Sequence, residues 1–229
     1  MDIKLLGAIG SAGTVAAGGG MYLALKDKTT PISELFKQEK GRVLMTDDSD
    51  AKWDAAWELY RNDHKVEGST TYKDVDKWGI SNWKDKKGES KAFKEFKDEC
   101  SKRSKVQVTD TNKQEYLDVK KYCSRPKKVS ELLSEDKSLT LLKKGEDTGA
   151  WNASWSKYKE AQATSKNNNN VTYKTTDTWS MSIWSSKKGD TTAPSEYQDE
   201  CGKKADSYIV PENLTEDETF KQVRSWCTK

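Results

Sequence analysis

The chain has 229 residues, 33% hydrophobic and 34% charged, with a mean hydropathy of −0.98. That length holds one medium domain or two small ones, and the low apolar share suits a highly solvated helical module better than a large-cored enzyme. The 40 basic and 37 acidic residues leave a net charge of +3 spread evenly over the chain, so no nucleic-acid partner is expected.

The composition borders on that of disordered chains. Nine Trp and nine Tyr argue against disorder, because each such ring buries a large area. The first 28 residues are a different material. Leu5 to Leu25 carries no charge, and at the helical rise it reaches about 30 Å, the thickness of a bilayer core. Lys4 precedes it, and Lys26 and Lys28 follow. The small residues Ala12, Ala16 and Gly20 recur every four positions, a spacing that permits close helix packing in a membrane. The segment reads as an uncleaved signal anchor. The competing readings are a signal peptide cut near Val15-Ala16-Ala17 and a buried Gly/Ala-rich helix. Its flanking charges are too even to fix an orientation.

After residue 28 the sequence repeats itself. Ile32-Ser33-Glu34-Leu35 returns as Val129-Ser130-Glu131-Leu132. Trp53, Ala55, Trp57 and Tyr60 return as Trp151, Ala153, Trp155 and Tyr158. Thr71-Tyr72-Lys73 returns as Thr172-Tyr173-Lys174, and Trp78 and Trp83 as Trp179 and Trp184. Lys86-Lys87-Gly88 matches Lys187-Lys188-Gly189, and Asp98-Glu99-Cys100 matches Asp199-Glu200-Cys201. Val119 and Cys123 match Val223 and Cys227. The fold class expected is mainly α. An N-terminal transmembrane or signal-anchor helix (1–28) precedes two tandem small helical modules, 29–125 and 126–229, each with a disulfide. Arg125-Pro126-Lys127-Lys128 reads as a polar linker between them.

Within each module the elements follow in order. Asp47-Asp48-Ser49-Asp50 reads as a helix N-cap region, since it lacks the Gly and terminal Glu of a calcium loop. Trp53, Trp57 and Tyr60 lie at i, i+4 and i+7, the core face of a helix. Trp78 and Trp83 also read as core, before a Lys-Lys-Gly helix stop. The next helix carries Phe93, Phe96 and Cys100, with Pro194 in the first turn of its second copy. A short apolar stretch follows, Val106-Gln107-Val108 or Tyr208-Ile209-Val210. Thr111-x-x-Gln114 and Thr215-x-x-Glu218 read as capping boxes that open the last helix. That helix holds Tyr116, Val119 and Tyr122, or Phe220, Val223 and Trp226.

The cysteines are the only site residues singled out: Cys100 with Cys123, and Cys201 with Cys227. Extended residues 105–110 span roughly 20 Å and return the chain along the preceding helix, so one disulfide within each module is the simplest pairing. The alternatives are four reduced, buried thiols and a shared zinc site, the latter disfavoured by the lack of a C-x-x-C or His partner. Disulfides would place the modules outside the cell. The single His64 lies in a polar stretch, matches nothing in the second copy, and is expected to be an exposed loop residue. No protease, hydrolase or phosphate-loop motif is present. Asn152, Asn170 and Asn213 begin N-x-[ST] sequons, relevant only in a glycosylating host. Asn167 to Asn170 forms a short polar loop. No catalytic, cofactor-binding or metal-binding residue is assigned, and no cofactor is expected.

The Gly/Ala-rich N-terminal segment, Trp151-x-x-x-Trp155-x-x-Tyr158, Asp199-Glu200-Cys201 and Val223-Arg224-Ser225-Trp226-Cys227 resemble the large paralogous families of hypothetical proteins in hemotropic mycoplasmas. The first copy departs at its end, where Tyr122 replaces Trp. The resemblance brings no activity and no functional residues. It implies a cell-membrane location, held through residues 5–25, with modules facing outside, or a secreted protein. The expected role is a non-enzymatic surface protein for host-cell adhesion or antigenic display, with a host surface protein or glycan as partner. An enzyme or inhibitor with an unrecognised site and an inner-leaflet scaffold are the alternatives. The sequence leaves the oligomeric state open.

Overall fold

The computed structural model describes residues 28–167, 170–214 and 216–229. The segment 5–25, read above as a membrane anchor, lies outside them. Among the described residues no helix is long and apolar enough to cross a membrane.

The described chain is mainly helical, with short strand pairs that tie its segments together. Thr30–Pro31 (β1) leads into Ile32–Phe36 (α1), and Arg42–Leu44 (β2) follows. Trp53–Asn62 (α2) is the main helix of the first half. Trp83–Lys86 (α3) is one turn, and Lys94–Arg103 (α4) ends in Lys102 and Arg103, cations suited to the negative end of a helix. Gln107–Val108 (β3) returns to pair antiparallel with β1. Gln114–Tyr122 (α5) then leads directly to Ser124–Pro126 (β4), antiparallel to β2 with Val43 opposite Arg125.

The second half repeats the order with Val129–Ser134 (α6), Thr148–Ala161 (α7), Trp184–Lys187 (α8), Ser195–Ala205 (α9) and Glu218–Trp226 (α10). It adds a hairpin, Ala163–Asn167 (β5) and Asn170–Tyr173 (β6). The first half has only a bridge between Lys65 and Tyr72 at that place. Asn167 and Asn170, the ends of the expected polar loop, face each other across this hairpin; residues 168 and 169 lie outside the described residues.

Burial follows the aromatic periodicity. Buried hydrophobic side chains form two clusters, one from Ile32 to Cys123 and one from Val129 to Cys227. Trp53, Trp57 and Tyr60 face the first, and Trp151, Trp155 and Tyr158 the second, so the helical stripe is core in both. Trp83 and Trp184 open their one-turn helices, whereas Trp78 and Trp179 precede them in turns. Those turns need a left-handed residue, supplied by Gly79 (φ 65°) in one half and Ser180 (φ 54°) in the other.

Three local expectations need correction. α5 begins at Gln114 after Lys113, with no side-chain cap, so Thr111 opens no capping box. Asp110 accepts the Asn112 N–H instead, forming a turn before the helix. α10 is capped by Asp217, whose carboxylate accepts the Phe220 N–H at 2.8 Å; Thr215 lies outside the described residues. Asp47 and Asp50 make similar turns with Ser49 and Lys52, ahead of α2 rather than at its cap.

The second correction concerns Arg125-Pro126-Lys127-Lys128, which is no free linker. Its backbone is paired in β4, Lys127 is buried, and the Lys127 N–H donates to the Gly41 carbonyl at 3.0 Å. Gly41 is required here: a β-carbon on it would lie 2.8 Å from Pro211 Cα of the second half.

The third correction is His64. It is 7% exposed, with its ring centroid 4.5 Å from that of Tyr60 and 5.3 Å from that of Trp83. Its position at the end of α2, one turn after Tyr60, turns it inward.

Candidate functional site

The four cysteines are joined as expected. Cys100 in α4 bonds Cys123 just after α5, with Cα atoms 5.4 Å apart. Cys201 in α9 bonds Cys227 just after α10, at 5.8 Å. Each bond closes the last helix of its half onto the helix before it. The sequence separations of 23 and 26 residues make each bond worth about 3 kcal/mol in the chain-entropy account. All four sulfurs belong to buried residues, so the bonds seal the cores rather than present reactive sulfur.

Each core is organised around one tyrosine. The Tyr60 ring lies within 4.6 Å of Trp78, 5.1 Å of Tyr122 and 5.5 Å of Phe96, centroid to centroid. The Tyr158 ring lies within 4.8 Å of Trp179, 4.9 Å of Trp226 and 5.2 Å of Tyr197. The Tyr60 hydroxyl donates to Asp76 at 2.8 Å and accepts the Trp78 N–H at 3.0 Å. Asp76 in turn accepts the Ile80 N–H. In the second half Tyr158 donates to Asp177, accepts the Trp179 N–H at 3.3 Å, and Asp177 accepts the Met181 N–H at 2.8 Å. Burial first, and then the adjacent carboxylate, push both phenols well above the ordinary tyrosine range, so both stay protonated donors. Each Tyr–Asp pair is hydrogen-bonded within itself and to the backbone of the turn that follows, and so holds that turn in place.

The indole N–H groups of four buried tryptophans, two in each half, are spent on backbone carbonyls. Trp57 donates to the Glu89 carbonyl and Trp155 to that of Asp190. Trp83 donates to Lys73 and Trp184 to Lys174, both at 2.9 Å. Asp54 accepts the Ala92 N–H, and Asn152 accepts that of Ala193, again both at 2.9 Å. The Asn152 sequon side chain is thus held inside the fold, while Asn170 and Asn213 are exposed.

His64 has a counterpart that sequence matching missed, because the residue type changes. Its Nδ1 lies 2.7 Å from the Tyr60 carbonyl, and its Nε2 accepts the Lys77 N–H at 2.8 Å. Gln162, fully buried and also four residues after its tyrosine, donates to the Tyr158 carbonyl and accepts the Thr178 N–H at 3.1 Å. A side-chain amide, and an imidazole with one bare nitrogen, can each supply the one donor and one acceptor that this position uses. The signal available in the sequence was the shared four-residue offset from Tyr60 and Tyr158.

The junction between the halves is held by part-buried ion pairs. The Arg125 guanidinium pairs with Asp50 of the first half and forks onto both oxygens of Glu131 in α6, at 2.7 and 2.8 Å. Glu131 first, and then Asp50, hold this guanidinium firmly protonated against the effect of burial. Arg125 likewise holds the Glu131 carboxyl below its ordinary range. Tyr208 adds a second tie, with Lys52 of the first half 4.3 Å from its ring centroid.

Beside the junction a groove of about 530 Å³ is lined by Leu132, Leu214 and Phe220, with Lys40, Lys221 and Arg224 at its rim. Arg224 is turned toward Asp136, and Lys221 toward Glu216 and Glu218. Among the described residues no group of three or more His, Cys, Asp or Glu is placed to hold a metal ion.

No known protein family, curated protein or solved structure matches the chain.

Proposed function

We propose that this chain is a non-enzymatic surface protein, anchored in the cell membrane through residues 5–25. Its two helical modules, 29–125 and 126–229, face outside for host-cell adhesion or antigenic display. The observation that carries this reading is the pair of equivalent disulfides, Cys100–Cys123 and Cys201–Cys227. Such bonds persist in oxidising surroundings and are lost in a reducing cytosol. The uncharged stretch Leu5–Leu25 supplies a means of retention at the surface. The use of buried polar groups to hold turns, rather than to converge on a cleft, favours display over catalysis. The resemblance to the paralogous families of hemotropic mycoplasmas fits the same picture.

The test is labelling of intact cells with a membrane-impermeant amine reagent, with a cytosolic protein as the control for leakage. The reading predicts labelled lysines on the full-length chain before lysis. Labelling only after lysis would overturn it and favour a scaffold on the inner leaflet.

A further inference from the structure

His64 is the chain's one histidine, and it does a job that the second half gives to a residue that cannot titrate. The Lys77 N–H points at Nε2, so Nε2 carries the lone pair and Nδ1 the hydrogen donated to Tyr60. A proton added at Nε2 would set one N–H donor against another. The contact then has to break. The segment it releases is the turn that seats Trp78 on Tyr60, since Lys77 lies between Asp76 and Trp78.

The charged groups around the ring come from every neighbouring element. On α2 and its end are Arg61 and Asp63, the latter held by Lys121 and the Tyr122 hydroxyl from α5. From the following loop come Lys73, whose N–H donates to the His64 carbonyl, Asp76, occupied by Tyr60, and Lys77, whose ammonium pairs with Asp118 of α5 at 2.6 Å. From α3 comes Lys87, paired with Asp74. Asp63 lies close enough for a charged His64 to lower its carboxyl, but the group placed at Nε2 in the closed geometry is the Lys77 N–H.

We propose that the first half carries an acid-responsive latch. Uptake of a proton by His64 releases the turn around Lys77 and Trp78, while the second half, latched by Gln162, stays closed. The latch makes one of two similar surfaces sensitive to mild acid.

The experiment is amide hydrogen exchange on the full, disulfide-bonded chain at about pH 7.5 and about pH 5, expressed as protection relative to the unstructured amide. Where the opened form takes up a proton that the closed form excludes, each pH unit favours opening by up to about tenfold. Lys77 protection should therefore fall by about tenfold or more, while Thr178 protection holds. The single imidazole signal should titrate together with that loss. His64→Gln should hold Lys77 protected at the lower pH, and Gln162→His should make Thr178 acid-sensitive. Equal retention of protection at Lys77 and Thr178 in the unaltered chain would overturn the proposal. So would loss at Lys77 that persists unchanged in His64→Gln.

Discussion

The first half satisfies its innermost helix contacts with apolar side chains where the second half uses polar ones. Ala56 and Phe96 occupy the places held in the second half by Ser154 and Tyr197. There the Tyr197 hydroxyl donates to the Trp226 carbonyl at 2.7 Å, and Ser154 lies 2.9 Å from the same hydroxyl. Trp179 donates its indole N–H to Gln222 at 2.7 Å, whereas buried Trp78 has no hydrogen-bond partner for the same group among the described residues. Yet the contacts that seat backbone turns are the same in both halves: tyrosine to aspartate, indole to carbonyl, and side chain to the Ala92 or Ala193 N–H. Backbone donors buried beside a small core must be satisfied, and few side chains reach them. Side chains that only fill space can change, provided that both members of a pair change together.

This comparison can be broken most forcefully at the shared tryptophans. Trp57→Ala and Trp155→Ala each remove a fully buried ring, and each should cost about 3–5 kcal/mol in a urea titration. A much smaller cost for either would mean that its half does not rely on the ring. The tyrosine hydroxyls come next. Tyr60→Phe and Tyr158→Phe take one hydrogen bond from a buried aspartate and leave the Trp78 or Trp179 N–H without its acceptor, so each should lose about 1–3 kcal/mol by the same measurement.

A smaller effect sharpens the difference between the halves. Tyr197→Phe alone removes one hydrogen bond from the Trp226 carbonyl, which keeps that from the Ser154 hydroxyl, and should cost about 1 kcal/mol. The double change Ser154→Ala with Tyr197→Phe copies the first half's pair and should cost less than the sum of the single changes. Additive losses would show that the two positions act independently.

Acid provides the mildest test. Burial opposes ionisation of Glu39 and Asp63, but hydrogen bonds from Lys120 and Tyr116, and from Lys121 and Tyr122, outweigh it and hold both carboxyls below their ordinary values. A lowered folded value means stability that is complete above the unfolded value, about 4, and is lost as pH falls through the folded one. The first half should therefore loosen as pH falls below about 4. Circular dichroism in the near ultraviolet, with Trp78 and Trp179 variants to assign the signal, would follow it.

Much of this architecture was legible in the sequence because aromatic side chains and cysteines keep their types. The Trp53, Trp57, Tyr60 stripe and its copy gave the central helix and its buried face, and both cysteine pairs could be matched before any geometry. What escaped depends on contacts between distant segments. Arg125 looks like solvated linker charge until Asp50 and Glu131 close around it. Gly41 looks ordinary until Pro211 packs against it. His64 and Gln162 share a hydrogen-bonding pattern but no chemistry that a residue-by-residue match detects. The helix starts differ for a local reason: Asp110 closes a turn onto the Asn112 N–H ahead of α5, and Asp217 takes the Phe220 N–H as the cap of α10.

The account rests on two halves that are each locked by their own disulfide. Peptide mapping of the protein taken from its native source, digested without reduction after thiol alkylation, tests this most directly. The prediction is two cross-linked species, Cys100 with Cys123 and Cys201 with Cys227, and no alkylated cysteine. Four alkylated thiols, or a bond between the halves, would contradict it.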